Sequence, residues 1–259
     1  MNYNSLIQRR SSIFQASFNK TKITPHFSCE LFGYGYYLNR MHVGVLDDIW
    51  VRSLLLNNGE KTLLFMSYDL LLLPMSLIKS LKETIANELN ISTDHIFIGC
   101  SHTHSAPTTE SMFGIGEVNP DFIRFLEAQT IACIKNLNQT IQEVQLYDHE
   151  EIIESIAYNR RLNNFDSVDN RLRALIIKFK TSNVFLYNLA CHTVVLGREK
   201  LISADWVGAV NKSLSEHGDE GIFFQGCSGN LDPMTNLNRK GLGKREDLEI
   251  IGSLVASRL

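Results

Sequence analysis

Long apolar runs, basic clusters and paired-cysteine motifs are all missing from this 259-residue chain. No stretch approaches the ~20 apolar residues that a membrane-spanning helix needs, and the first ten residues lack the apolar core of a secretory signal. The 25 basic side chains are balanced by 28 acidic ones, and no basic run is interleaved with aromatic residues. We therefore expect a cytoplasmic protein with no integral membrane segment and no nucleic-acid partner.

The cysteines do not form a disulfide or zinc-ribbon pattern. There are five of them, an odd number, and none has the C-x-x-C spacing, so reduced thiols are expected. Cys100, Cys191 and Cys227 stand next to candidate site residues. A role as ligand or nucleophile is one alternative, but small buried hydrophobic residues are the favoured interpretation.

No proline-, glycine- or serine-rich linker and no internal repeat divides the chain, so we expect one domain over residues 1–259 with a tail at residues 1–11. Apolar alternation and helical spacing follow one another along the sequence, and Asn57-Asn-Gly-Glu60 predicts a hairpin turn. These patterns predict an α/β fold with mixed, largely buried β-sheet and flanking helices. The predicted strands are Ser12–Thr24, Ile49–Asn57, Lys61–Asp69, Asp94–Cys100, Glu143–Tyr147 continuing through Ile152–Tyr158, Arg171–Lys180, Val184–Cys191 and Gly221–Gly226; the predicted helices are Ser76–Leu89, Asp121–Asn136, Trp206–His217 and Arg245–Leu259.

The segment Asp94–Pro107 is the most informative stretch, because an apolar strand runs directly into His102 and His104. Alternate side chains of an extended chain share a face, so both imidazoles are expected to point the same way at the carboxyl end of the strand. A hydrogen-bonded surface turn is the alternative. A second apolar strand, within Asn183–His192, also ends in a histidine, and two such strand ends favour one metal site made from His102 and His192.

Zinc takes about four donors and a catalytic site leaves one position for water, so two histidines need a third protein ligand. Asp69, Asp205, Asp232 and His104 are the candidates, and the sequence does not choose between them. Asp205 has the alternative role of a helix N-cap, and Asp232 that of a side chain capping its own turn before a proline. A histidine–carboxylate set also accepts manganese or iron.

Two loops and one serine complete the set of candidates. Arg160 offers a planar fork of donors for an anionic substrate group, although a solvated loop arginine is an equal alternative. The segment Thr108–Pro120 is long for a connection and predicts a lid or substrate loop. Ser228 lies in a Gly-x-Ser-Gly turn that falls short of the full nucleophile elbow.

Four ordered motifs resemble the catalytic domain of the neutral/alkaline non-lysosomal ceramidases. They are Ser101–Pro107, Ala190–His192, Leu201–Asp205 and Gly229–Pro233, and the likeness extends from Ile23 to Pro233. The resemblance implies zinc held by His102 and His192, with His104 and Arg160 lining the pocket beside it. Two departures stand out: the family's glutamate and tyrosine zinc ligands come from sequence beyond the matching region, and its nucleophilic serine corresponds here to Asp232.

These features together predict a metal-dependent hydrolase of an amide or ester bond, with a metal-bound water as nucleophile and a carboxylate, Asp232, as base. The expected substrate is a small or lipid-like molecule, and assembly as a homo-oligomer is left open by the sequence. One rival is a metal-free serine hydrolase that uses Ser228. The other is a non-catalytic member of the family that binds a small ligand.

Overall fold

The computed structural model describes residues 5–6, 13–36, 38–237 and 243–259. Its helices are α1 (Met75–Leu89), α2 (Pro120–Ile134), α3 (Asp205–Glu216) and α4 (Arg245–Ala256). Its strands are β1 (Ser5–Leu6), β2 (Phe14–Lys22), β3 (Gly44–Val45), β4 (Trp50–Asn57), β5 (Thr62–Tyr68), β6 (Ile96–Cys100), β7 (Gln142–Ile152), β8 (Ala157–Asn159), β9 (Arg171–Lys178), β10 (Asn183–Leu189), β11 (Leu201–Ile202), β12 (Glu220–Gln225) and β13 (Leu231–Pro233). The predicted tail, 1–11, lies outside the described residues except for β1, which pairs with β7.

The predicted mixed sheet is confirmed. Its strand order is β12-β10-β9-β7-β2-β4-β5-β6, with parallel pairing only for β5 with β6 and for β10 with β12. The Asn57–Glu60 turn joins β4 to β5 as expected, and Gly59 there has φ +86°, a left-handed conformation that glycine adopts without strain. Helix α1 connects the parallel strands β5 and β6, which is the β–α–β order expected from the sequence.

The sheet bends so that its two ends meet. Ser67 of β5 donates to the carbonyl of Phe223 in β12, and a Cβ on Gly99 of β6 would lie 2.8 Å from the Phe224 ring. Glycine at position 99 is therefore what allows β6 to approach β12 so closely. The closure brings the carboxyl ends of β6, β10 and β12 to one place.

Three apolar clusters hold this arrangement together. One lies between the two halves of the bent sheet and includes Leu54, Ile177 and Ile222. A second packs α1 and α2 on β4, β5 and β6, and the third packs α3 and α4 on β9, β10 and β12. Among the described residues, no helix is long and apolar enough to cross a membrane.

Candidate metal and hydrolytic site

The first candidate ligand leaves its strand in a turn rather than in an extended segment. Strand β6 ends at Cys100, and His102 has φ +67°, so the alternation argument for His102 and His104 does not apply to the backbone observed. The His102 amide donates to the Leu70 carbonyl, and its Nδ1 lies 3.0 Å from the Leu71 carbonyl oxygen. Since a carbonyl can only accept a hydrogen bond, Nδ1 carries the hydrogen. The Nε2 atom therefore has a lone pair that can bind a metal ion.

The second candidate ligand is fixed in the same way. His192 follows β10, its amide donates to the Leu231 carbonyl, and its Nδ1 lies 3.0 Å from the Ser228 carbonyl oxygen. The indole nitrogen of Trp206 in turn donates to the His192 carbonyl at 3.0 Å. Hydrogen bonds thus fix both the backbone and the ring of His192, and its Nε2 is again available to bind a metal ion.

His104 is the unusual member of the group. Neither of its ring nitrogens has a hydrogen-bond partner among the described residues, although both are buried. Gly33 packs against this ring so closely that a Cβ on Gly33 would lie 2.4 Å from Nδ1. The Tyr34 ring makes an edge contact with the His104 ring, with the centroids 4.9 Å apart. A buried imidazole without partners needs a ligand to satisfy it.

The structure brings the three histidines together. Each offers one nitrogen such that all three lie within 4.8 Å of one another, and the ring centroids of His102 and His192 are 4.8 Å apart. Burial lowers the pKa of all three, and the mutual proximity of the rings lowers the pKa of His104 further. All three imidazoles are therefore neutral near pH 7, the state in which they bind metals.

Arg160 and Asp232 form a pair beside the histidines. The Arg160 Nη1 lies 3.3 Å from the Asp232 carboxylate, and Nη2 donates to the Gly229 carbonyl at 2.7 Å. The positive charge of Arg160 is near enough to contribute to the lowered pKa of each histidine. Burial raises the pKa of Asp232, with Arg160 opposing that effect. The guanidinium of Arg160 is thus half-exposed, and the Asp232 carboxylate that it contacts is largely buried.

The other two carboxylates predicted as metal ligands are held elsewhere. Asp69 forms a buried ion pair with Arg52 at 2.7 Å and accepts from the Trp50 amide. Asp205 accepts from the amides of Val195, Leu196 and Trp206 at 3.1, 3.0 and 2.9 Å. Within the described residues, the group suited to a metal contains neither aspartate. Each carboxylate thus already has protein partners, and Asp205 stabilises the loop that follows His192.

Ser228 is buried in the turn after β12, but its backbone rather than its side chain meets the histidine. The carbonyl of Ser228 accepts from His192 Nδ1, whereas a serine nucleophile requires the hydroxyl to donate to an imidazole. This geometry does not favour the serine-hydrolase alternative.

The predicted lid is held at its base. Thr108 donates from its amide and its hydroxyl to the Glu30 carbonyl, and the Thr109 hydroxyl donates to the Leu72 carbonyl. Its tip is exposed, with Phe113 84% accessible and Met112 46% accessible. The segment is therefore fixed at its first two residues and has an apolar tip.

Tyr34 and Arg40 were not predicted as site residues, but both contact His104. The Tyr34 hydroxyl is buried without a partner among the described residues, and the guanidinium of Arg40 lies 4.8 Å from the Tyr34 ring centroid. Arg40 also donates to the His104 carbonyl at 2.8 Å. The only signal in the sequence was the Gly33-Tyr-Gly35 loop, where positive φ at Gly33 and Tyr34 is now seen.

No protein-family model and no curated protein sequence matches the chain. Solved structures that do match include neutral ceramidase from Pseudomonas aeruginosa and a ceramidase complexed with C2. Each has a TM-score of 0.83 and 16% sequence identity and covers 96% of this chain. The chain spans 44% and 43% of the length of those two proteins. Over almost all of its length, the chain therefore has the fold of neutral ceramidase, in agreement with the resemblance found in its motifs.

Proposed function

We propose that this protein is a metal-dependent hydrolase of an amide or ester bond. The observation that carries the proposal is the convergence of His102, His104 and His192, whose ligand atoms lie within 4.8 Å of one another. Nitrogen donors at this spacing suit zinc, and they also suit manganese or iron.

The donor set fits a metal ion. His102 and His192 each donate from Nδ1 to a backbone carbonyl, so both can present Nε2, and the two buried ring nitrogens of His104 have no partner among the described residues. We therefore assign the third ligand, which the sequence left open, to His104 rather than to an aspartate. A divalent ion held there supplies a Lewis acid and an acidified water molecule for hydrolysis.

The remaining groups of the site have distinct tasks. Asp232 is positioned by Arg160 and is the carboxylate that accepts a proton from the attacking water. Arg160 is 44% exposed, which leaves its guanidinium free to bind a polar or anionic group of the substrate as well. The Tyr34 hydroxyl, whose pKa is raised by burial, stays protonated and can donate a hydrogen bond to the substrate.

A lipid-like substrate is supported by exposed apolar side chains on segments that adjoin the histidines. Met75 is 77% exposed and lies shortly after Leu71 and Leu72, whose carbonyls accept hydrogen bonds from His102 and Thr109. Tyr36 is 63% exposed and lies shortly after Gly33 and Tyr34, which contact His104. Met112 and Phe113 extend from the loop after Pro107. Ceramidase, named in both structural neighbours, acts on such a lipid, and we propose the same substrate class here.

The direct test is a substrate panel on purified protein that has been stripped with chelator and then reloaded with zinc, manganese or iron. We expect hydrolysis of N-acyl sphingoid amides or of acyl esters that depends on the added metal. Equal turnover with and without metal would refute the proposal, as would a lack of turnover across all amides and esters by protein that has bound one equivalent of metal.

Shortening the lid tip tests substrate access. Deletion of residues 111–115 removes the exposed Met112 and Phe113 but leaves the Thr108 and Thr109 anchors intact. We expect KM for a long-chain substrate to rise about tenfold while KM for a short-chain ester stays nearly constant, because only the long chain reaches the apolar tip. Equal effects on both substrates, or no effect on either, would contradict this role.

Replacing Tyr34 with phenylalanine tests its hydroxyl. The loss of one pre-aligned donor is expected to lower kcat by about ten- to a hundredfold without loss of bound metal. The matched control is Tyr147→Phe, because Tyr147 lies within β7 and its hydroxyl donates to Gln145 Oε1 at 3.0 Å. A Tyr34→Phe protein with unchanged kcat would remove Tyr34 from the catalytic set.

A further inference from the structure

The two strands that lead to the histidines are not neighbours in the sheet. In the strand order of the described sheet, β6 is the last strand at one end, whereas β10 and β12 lie at the other end. Ladder hydrogen bonds between strands therefore do not set the distance between His102, which follows β6, and His192, which follows β10. The spacing of the two imidazoles depends on contacts made beyond the strand ends.

Thr193 makes the most direct of these contacts. It follows His192 and is fully buried. Its hydroxyl donates to the carbonyl of Ser101, the residue before His102, and its own carbonyl accepts from the His104 amide at 3.3 Å. One residue thus joins the segment after β10 to both sides of the segment that carries the other two histidines.

Gln225, the last residue of β12, extends this connection. Its Nε2 lies 3.0 Å from the Cys191 carbonyl oxygen, 3.4 Å from the Thr193 hydroxyl oxygen and 3.5 Å from the Ser101 carbonyl oxygen. Its Oε1 accepts from the Gly226 amide at 3.1 Å. Because carbonyls can only accept hydrogen bonds, this environment fixes which end of the side-chain amide is the donor.

The two side chains form one chain of hydrogen bonds. The Thr193 hydroxyl gives its hydrogen to Ser101, so its oxygen is free to accept from Gln225. Hydrogen bonds linked in this way polarise and strengthen one another in a dry environment, and Ser101 and Thr193 are both fully buried. Gln225 and Thr193 therefore hold the ends of β6, β10 and β12 together.

We propose that Thr193 and Gln225 are positioning residues that set the separation of His102, His104 and His192 and thereby the affinity of the site for a divalent metal ion. The inference rests on the proposed metal-dependent function. Neither residue belongs to the group of candidate ligands. They act by holding the ligand-bearing segments in place before the ion arrives, so that less conformational freedom is lost when it binds.

Two substitutions at Thr193 separate hydrogen bonding from packing. Thr193→Val keeps the branched shape but removes the hydroxyl, whereas Thr193→Ser keeps the hydroxyl and removes a methyl group. We measure the Zn²⁺ dissociation constant by competition with a chromophoric chelator. We expect Thr193→Val to bind zinc about ten- to a hundredfold more weakly, the usual cost of removing a group that supports metal ligands, and Thr193→Ser to bind it as the unmodified protein does. The reverse order would show that Thr193 only fills space and would overturn the proposal.

Gln225→Glu tests the other end of the chain. It preserves the shape of the side chain but places a second acceptor opposite the Cys191 carbonyl. We expect weaker zinc binding and a changed visible absorption spectrum of bound Co²⁺, because that spectrum reports the coordination geometry of the ion. The matched control is Gln142→Glu, the same change at an exposed position at the start of β7, which should leave both measurements unchanged.

The outcomes separate this inference from the proposed function. If the unmodified protein binds zinc and the folded Thr193→Val and Gln225→Glu proteins show the same affinity and the same Co²⁺ spectrum, the positioning role is refuted while the metal site stands. If the unmodified protein binds no metal, the proposed function itself fails. Should Thr193→Val not fold, the partly exposed Gln225 position decides the question alone.

Discussion

Protein that carries His192→Ala is expected to lose stoichiometric zinc and to lose activity by at least about a hundredfold. Its imidazole is one of only three nitrogen donors in the site, and two donors hold a divalent ion poorly. The fold should survive, because the Leu231 carbonyl is bound by the backbone amide of residue 192 rather than by its ring. Elemental analysis of protein purified without chelator measures the metal, and thermal unfolding checks the fold.

The matched control for this experiment is His217→Ala. His217 is the C-cap residue of α3 on the surface, and its Nδ1 lies 2.9 Å from the Ser213 carbonyl oxygen. This variant should keep one equivalent of metal and full activity. If His192→Ala and His102→Ala both retain the metal, the histidine site is not the binding site and the proposed function fails with it.

The same measurement of metal content on His104→Ala decides whether His104 is a metal ligand or only lies beside the metal. The family resemblance implies zinc ligation by the residues matching His102 and His192 and places His104 beside the metal, whereas the unpartnered nitrogens of His104 favour direct ligation. Loss of metal in His104→Ala would support a three-histidine site. Retention of metal with altered kinetics would return His104 to the role that the resemblance implies.

Most of the fold could be predicted from local sequence, because its strands and helices carry strong periodic patterns and clear turn signals. The Asn57–Glu60 hairpin, the α1 crossover and the strands that end near His102 and His192 are all examples. The bending of the sheet was not predictable in this way. It depends on the contact of Gly99 with Phe224, two residues that are far apart in sequence.

The carboxylates show where sequence reasoning about the site ends. Asp69 stands next to a leucine run, which suggested a need for a partner or a metal; the partner is Arg52, on the neighbouring strand. Asp205 lies in one of the motifs that resemble ceramidases, and its carboxylate accepts hydrogen bonds from the backbone after His192. A sequence shows that a buried charge needs compensation, whereas only the fold shows which group provides it.

Asp232→Asn is expected to reduce kcat by about a hundredfold or more, the typical loss when a general base is removed. Asparagine retains a side-chain oxygen that can accept a hydrogen bond from Arg160. The position of the side chain and the metal content should therefore be preserved, while the ability to accept a proton is lost. The control is Asp166→Asn, which changes an exposed aspartate in the loop that carries Arg160 and should leave kcat unchanged.

The nucleophile is tested with the same proteins. A water molecule activated beside Asp232 leaves no acyl-enzyme, so fluorophosphonate reagents should not label the protein and Ser228→Ala should remain active. The position of His192 supports this expectation, since its Nδ1 contacts the Ser228 carbonyl and not the hydroxyl. Labelling at Ser228, or full activity in Asp232→Asn together with an inactive Ser228→Ala, would instead show that the serine attacks the substrate and that Asp232 only holds Arg160 in place.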